Sequence, residues 1–289
     1  MKTTLFRTIS FSLLAGLVII SGCEKERLEL TNNESKDISE EALIDSYYQD
    51  LDDLASVAIN APSDQEYSGG RSSATITIED SRFSCQGIVV NIDPTGTPDH
   101  PQGTITVDFG TTGCSDLRGN VRKGKLIFTY DGARFQPNST LITTTDNYYI
   151  NDIKLEGVRT STNITGSTQQ APKFNVVLEN GKATFADGTT ALRESDITVS
   201  WIRGENPTLD KLLVHTGSIA AGTTRSGTDY NVSLTEQLEY QRFCAMAVSG
   251  IKNYIVNGTK NIIIDYGAGS CDKTITVTIN GVTRTITIG

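Results

Sequence analysis

The sequence predicts an all-β fold: an antiparallel, hairpin-rich domain of sandwich or barrel-like form, internally duplicated and preceded by one short amphipathic helix. Three observations predict it. From Ser73 onward apolar and polar residues alternate, with many threonines and β-branched side chains, which is the period of strands with one wet face. Asp131-Gly132, Asn180-Gly181, Asn257-Gly258 and Asn280-Gly281 are dipeptides favoured in tight hairpin turns. One stretch, residues 37–62, carries a helical period instead.

In that stretch Asp37 and Glu40 form a capping pair by spacing, and Ile44, Tyr47, Tyr48, Leu51, Leu54, Ala55 and Ala58 share a face. Glu40, Glu41, Asp45, Asp52 and Asp53 fall largely elsewhere on the helix surface. Pro62 and Ser68-Gly69-Gly70 close the helix. Such a helix either covers a sheet face or a barrel end, or is displayed to a partner.

Strands follow at Thr75–Ile78, Thr104–Val107 and Thr274–Ile279, within a β domain over 73–289. With Asn280-Gly281 at a hairpin tip, Ile279 faces Val282 and Ile275 faces Ile286. With Asn180-Gly181 at a tip, Leu178 faces Ala183 and Val176 faces Phe185; with Asp131-Gly132, Phe128 faces Phe135. Apolar residues meet on one face in each case, as a correct register requires.

Two segments, near 82–135 and 242–289, repeat one order of parts. Arg82-Phe83-Ser84-Cys85 corresponds to Arg242-Phe243-Cys244, and Asp108-Phe109-Gly110 through Cys114 corresponds to Asp265-Tyr266-Gly267 through Cys271. Folding the second copy about Asn257-Gly258 sets Cys244 opposite Cys271, and the turn from Pro94 to Pro101 brings Cys85 towards Cys114. Disulfides Cys85–Cys114 and Cys244–Cys271 follow. A four-cysteine zinc site is the rival, but no C-x-x-C pair is present. Asp108 and Asp265 could each ligate calcium with Asp116 or Asp272. The sequence favours the simpler alternative, a carboxylate accepting backbone N–H bonds in the glycine-containing turn.

The N-terminus says where the chain resides. Lys2 and Arg7 precede an apolar run that ends at Ile20-Ser21-Gly22-Cys23, the layout of a secretory signal peptide over residues 1–22. The run from Phe11 to Ile20 is short of the ~20 residues a spanning helix needs. The tetrapeptide resembles the lipobox of bacterial lipoproteins, which implies a lipidated Cys23 as the first mature residue. More than one acyl chain, each burying about 0.8 kcal/mol per CH₂, makes such an anchor durable. Residues 23–36 read as a polar tether. Glu24 in place of aspartate implies, by the same resemblance, export to the outer membrane, on either its periplasmic or its surface face.

Loss of residues 1–22 removes two cations and no acid, moving the formal charge from −9 to −11. An acidic exterior argues against nucleic acid, whose phosphates demand lysine and arginine clusters. With only two histidines, His100 and His215, and no G-x-S-x-G, H-E-x-x-H or P-loop motif, the chain offers no catalytic constellation and no cofactor or metal site. Trp201, the sole tryptophan, shares a face with Ile197 and Val199 and reads as core, whereas Tyr148-Tyr149 and Tyr254 are candidates for exposure. The lipobox cysteine, the acidic helix and the Thr-rich β domain with D-(F/Y)-G-x-x-x-C together resemble uncharacterised cell-envelope lipoproteins of Bacteroidota, a family that implies location and class but no activity. The expected function is a non-catalytic binding or structural role in the envelope, with a polysaccharide or envelope protein as partner. The alternative is a glycan hydrolase using a carboxylate pair.

Overall fold

The computed structural model describes residues 30–60 and 74–288, apart from residues 79, 84, 86, 118, 134, 135, 165, 169, 206–208, 243 and 245. The signal peptide, Cys23, Pro62, Gly69-Gly70 and Phe135 lie outside the described residues. Among the described residues one helix, α1 (Asn32–Asn60), precedes the strands. The first group is β1 (Ala74–Ile76), β2 (Val89–Pro94), β3 (Gln102–Asp108), β4 (Cys114–Ser115), β5 (Val121–Asp131) and β6 (Thr140–Ile150). Next come β7 (Ile153–Asn163), β8 (Lys173–Thr184), β9 (Thr190–Ile202), β10 (Lys211–Val214) and β11 (Ile219–Thr223). The last are β12 (Asp229–Gln241), β13 (Ser249–Val256), β14 (Lys260–Ala268), β15 (Thr274–Ile279) and β16 (Val282–Thr287).

All of these strands join one antiparallel sheet that follows chain order from β1 to β16. Two short strands, β10 and β11, share the space between β9 and β12: β10 pairs their Val199–Ile202 and Leu238–Gln241 ends, and β11 their Leu192–Asp196 and Asp229–Ser233 ends. This is a single layer curled round α1, the barrel-like option rather than two stacked sheets. Between residues 37 and 59 no helix position is exposed. Ile44, Tyr48, Leu51, Leu54 and Ala58 pack with inward residues of β1–β9 such as Ile105, Phe128 and Leu155. Leu30, Ile38 and Ala42 pack with those of β8–β16, including Val199, Tyr254 and Ile264.

The curl is built from bulges. The β5–β6 register shifts at Gly124 and the β13–β14 register at Gly250, both at positive φ. A Cβ there would lie 1.9 Å from the Asn147 carbonyl oxygen or 2.1 Å from that of Gln237, so only glycine fits these bends.

Several expectations change. The helix begins at Asn32, so residues 32–36 belong to it and not to a tether. Its N-terminal box is Thr31 and Glu34, not Asp37 and Glu40. The Thr31 Oγ1 accepts the Glu34 N–H at 3.1 Å, and Glu34 Oε2 accepts the Thr31 N–H at 2.8 Å. That reciprocal pair contributes about 1 kcal/mol. Nor is α1 amphipathic in the sense expected, because, of the acids set apart from its apolar face, Glu41 and Asp45 are buried and Glu40, Asp52 and Asp53 half-buried.

The Asn280-Gly281 hairpin has the expected register, with Ile279 opposite Val282 and Ile275 opposite Ile286. Asn257-Gly258 also turns a hairpin, but Thr259 joins the loop and Val256 faces Lys260. Asn180-Gly181 turns nothing. Asn180 takes its positive φ of 54° inside β8 as a bulge, where Leu178 faces Ser195 and Gly181 faces Arg193. The true β8–β9 reversal is Phe185 to Thr189, closed by the Phe185 N–H on the Thr189 carbonyl at 2.9 Å. Asp131-Gly132 is likewise no two-residue tip: Asp131 faces Thr140 and Phe128 faces Thr143. There the Gly132 N–H donates to the Pro101 carbonyl at 2.9 Å, which draws the chain away from a tight reversal.

Candidate functional site

Around α1 the sheet places cations on its inner face, with Arg193, Lys252, Arg159 and Arg122 at inward positions of their strands. Arg193 of β9 reaches Glu41 Oε1 at 2.6 Å and Asp45 Oδ1 at 2.5 Å. Lys252 of β13 lies 3.4 Å from Glu41 and 3.2 Å from Asp45, whose Oδ2 also accepts the Tyr240 hydroxyl at 2.5 Å. About two helical turns on, Arg159 of β7 forks onto Asp52 with two bonds of 2.6 Å. Arg122 of β5 bridges Asp50 at 2.7 Å and Asp116 at 2.5 Å. Nearer the solvent, Arg225 holds Glu40 at 2.6 Å and Lys260 holds Glu34 at 2.7 Å.

The repeated Arg-Phe motifs meet here. Arg82 and Arg242 both approach Asp53 Oδ2, at 2.6 and 3.5 Å, and both approach Asp80 Oδ2, at 2.9 and 3.3 Å. Corresponding parts of the two copies, the β1–β2 and β12–β13 connections, therefore converge on one helix carboxylate.

Charge balance explains the ionisation states. Burial would lower the Lys252 pKa, but the Asp45 and Glu41 carboxylates outweigh it and hold the ammonium well above its ordinary value. Burial would raise Asp45, and Arg193 with Lys252 reverses that, keeping the carboxyl well below the usual range. Burial and the neighbouring Asp45 push Tyr240 well up. Asp80 is lowered from 3.8 to about 2, because hydrogen bonds and charge from Arg82 outweigh its burial. Folding thus favours ionised Asp80, and its stabilisation is complete above about pH 4 and withdrawn as pH falls through about 2. Melting temperatures of the wild type and Asp80→Asn are expected to differ at pH 6 and to converge in that acid window; a gap independent of pH would contradict the assignment.

Beside this network lies a cleft of about 410 Å³. Its floor is the α1 stripe Leu43, Ser46, Tyr47, Asp50 and Asp53; Asn120 and Asn151 form one wall, and Trp201, Tyr240, Gln241, Arg242 and Lys273 the other. Asn151 Nδ2 donates to the Tyr47 hydroxyl at 3.0 Å and to Asn120 Oδ1 at 2.8 Å, fixing the first wall. Trp201 faces inward with Ile197 and Val199, as alternation predicts, and is half-buried because that inner face also lines the cleft. Tyr148 and Tyr254 are not exposed: both are fully buried.

The cysteines are joined as Cys85–Cys114 and Cys244–Cys271. Asp108 Oδ1 accepts the Gly110 N–H at 2.8 Å and Asp265 Oδ1 the Gly267 N–H at 2.7 Å, the turn role rather than a calcium site. Asp116 serves Arg122, and Asp272 accepts from Thr274. Among the described residues no group of three or more histidine, cysteine, aspartate or glutamate side chains could hold a metal ion. His100 pairs with Asp131 at 2.7 Å near the surface. His215 Nε2 lies 2.7 Å from Ser200 Oγ. Burial, aided by the charge of Lys173, lowers the His215 pKa.

Comparisons with family models, curated proteins and solved structures find no match to this chain. The site must therefore be read from its own geometry. The inner cations were missed in the sequence, although their signal was there: Arg193 and Lys252 each stand at an inward alternation position among small and apolar residues, Ala191 and Ile197 in one strand and Tyr254 and Val256 in the other.

Proposed function

We propose that this chain is a lipid-anchored lipoprotein of the outer membrane, tethered through Cys23, whose β wrap serves the envelope as a non-catalytic binding module. One observation carries the reading: two disulfides staple the wrap of a chain whose leader ends in Ile20-Ser21-Gly22-Cys23. Disulfides persist outside the reducing cytosol, where such a leader delivers its cargo. The chain also starts folding close to the anchor. Leu30, whose side chain is buried, stands seven positions beyond Cys23, and seven residue steps span at most about 25 Å. The wrap then stands against the membrane rather than on a long stalk. No helix among the described residues is long and apolar enough to cross a membrane.

Against the hydrolase alternative, the carboxylates of the cleft are committed. Asp50 and Asp53 are bound by Arg82, and Asp210 by Arg203 at 2.8 Å and by the Gly204 N–H at 3.0 Å. A glycosidase needs one carboxyl to give a proton and another to attack or to activate water. Membrane fractionation with intact-mass analysis tests the anchor. Wild type is expected in the membrane fraction with the mass of an acylated chain beginning at Cys23, and Cys23→Ser in the soluble fraction. Equal partitioning of both, or a free Cys23 thiol behind an intact leader, would overturn the proposal.

A further inference from the structure

We infer that the cleft beside α1 binds a neutral saccharide, with Trp201 as its apolar platform; the inference rests on the binding-module reading above and names its ligand class. At about 410 Å³ the cleft falls within the range of small-ligand sites. Its surface mixes two chemistries. Trp201 is half-buried, and its indole N–H has no partner among the described residues. An indole offers a flat apolar face to the C–H face of a sugar ring and an edge donor to a hydroxyl.

Around it stand neutral polar groups. Tyr47 accepts its hydrogen bond from Asn151, which leaves the phenolic proton to donate. Ser46 donates to the Leu43 carbonyl at 2.7 Å and retains acceptor capacity. Hydroxyls, which both donate and accept, complement such a set. Charge selects against the alternatives. The acids lining the cleft are neutralised by Arg82, Arg122, Arg203 and Arg242, so neither a cationic nor a strongly anionic ligand finds an uncompensated partner inside. Lys273 is exposed at the rim.

Trp201 is the only tryptophan, so its emission reports on this cleft alone. The full chain, solubilised in a detergent without a sugar headgroup, is titrated with xylo-, cello-, malto- and manno-oligosaccharides and with oligogalacturonate, with calorimetry in parallel. At least one neutral oligosaccharide is expected to shift the emission saturably at one site per chain. Tyr47→Phe should weaken that binding by up to about tenfold, the worth of one hydrogen bond. Lys182→Ala, outside the cleft, should leave it unchanged, and Trp201→Phe should weaken the calorimetric signal while an unchanged melting temperature shows the fold intact. The inference is overturned if no neutral oligosaccharide binds at millimolar concentration. It also falls if only oligogalacturonate binds, or if binding survives both Trp201→Phe and Tyr47→Phe at full strength. Release of reducing ends during the titration would leave the saccharide site standing and overturn the non-catalytic reading instead.

Discussion

Arg193→Met is expected to destabilise the fold by about 3–5 kcal/mol, the cost of removing one partner from a buried ion pair. The Arg193 guanidinium is the shortest-range cation to both Glu41 and Asp45, and all three side chains are buried. Methionine fills a similar volume, so the loss is that of charge and hydrogen bonds rather than of packing. Lys252 alone, at 3.2 Å or more from either acid, would then face two carboxylates. Two controls separate this mechanism from a general intolerance of the site. Adding Glu41→Gln to Arg193→Met should recover part of the loss, because it removes the acid left uncompensated. Lys154→Met, which breaks a half-exposed surface pair with Glu156, should cost no more than about 1 kcal/mol. Urea unfolding at pH 7 measures all three; a cost below 1 kcal/mol for Arg193→Met would show that the ion pairs do not hold the helix.

Removing both disulfides is the other large effect. Cys85–Cys114 and Cys244–Cys271 close loops with sequence separations of 29 and 27. Loss of unfolded-chain entropy on closing loops of that size stabilises by about 3–4 kcal/mol each. Each bridge joins the open end of a hairpin, β2–β3 in one copy and β13–β14 in the other, beside the arginines that meet at Asp53. Reduction should therefore lower the melting temperature and loosen the contact between the two ends of the sheet. Cys85→Ala/Cys114→Ala and Cys244→Ala/Cys271→Ala should each show about half of the combined loss, since the bridges lie in separate loops. Non-reducing peptide mapping that joined Cys114 to Cys271 would contradict the pairing itself.

How much of this was legible depended on the range over which each decision is made. The Asn280-Gly281 hairpin could be read in full because two local residues set both the turn and the register on either side. Asn180-Gly181 looks the same locally and behaves differently. The dipeptide announces a residue at positive φ, and a bulge inside a long strand uses that conformation as well as a chain reversal does. The disulfides were legible because the repeat supplied a second copy to compare. The helix acids were not. Helical spacing separated Glu41 and Asp45 from the apolar stripe, but water and an arginine-lined wall are equally good destinations for a carboxylate. What decides between them is Arg193, 152 residues beyond Glu41. The cleft was hidden for the same reason, since Trp201 reads as core by alternation and its inward face becomes a wall only when the sheet curls round α1.

The central claim is that α1 is an internal spine, gripped on every side by ion pairs from the sheet, and not an appendage on its surface. Native-state hydrogen exchange measures this directly. Backbone amides from Ile38 to Ala58 should exchange only through global unfolding, with the same protection as the central residues of β9 and β13, and should lose it in step with them in Arg193→Met. Helix amides that exchange through local opening, while the strands stay protected, would contradict it.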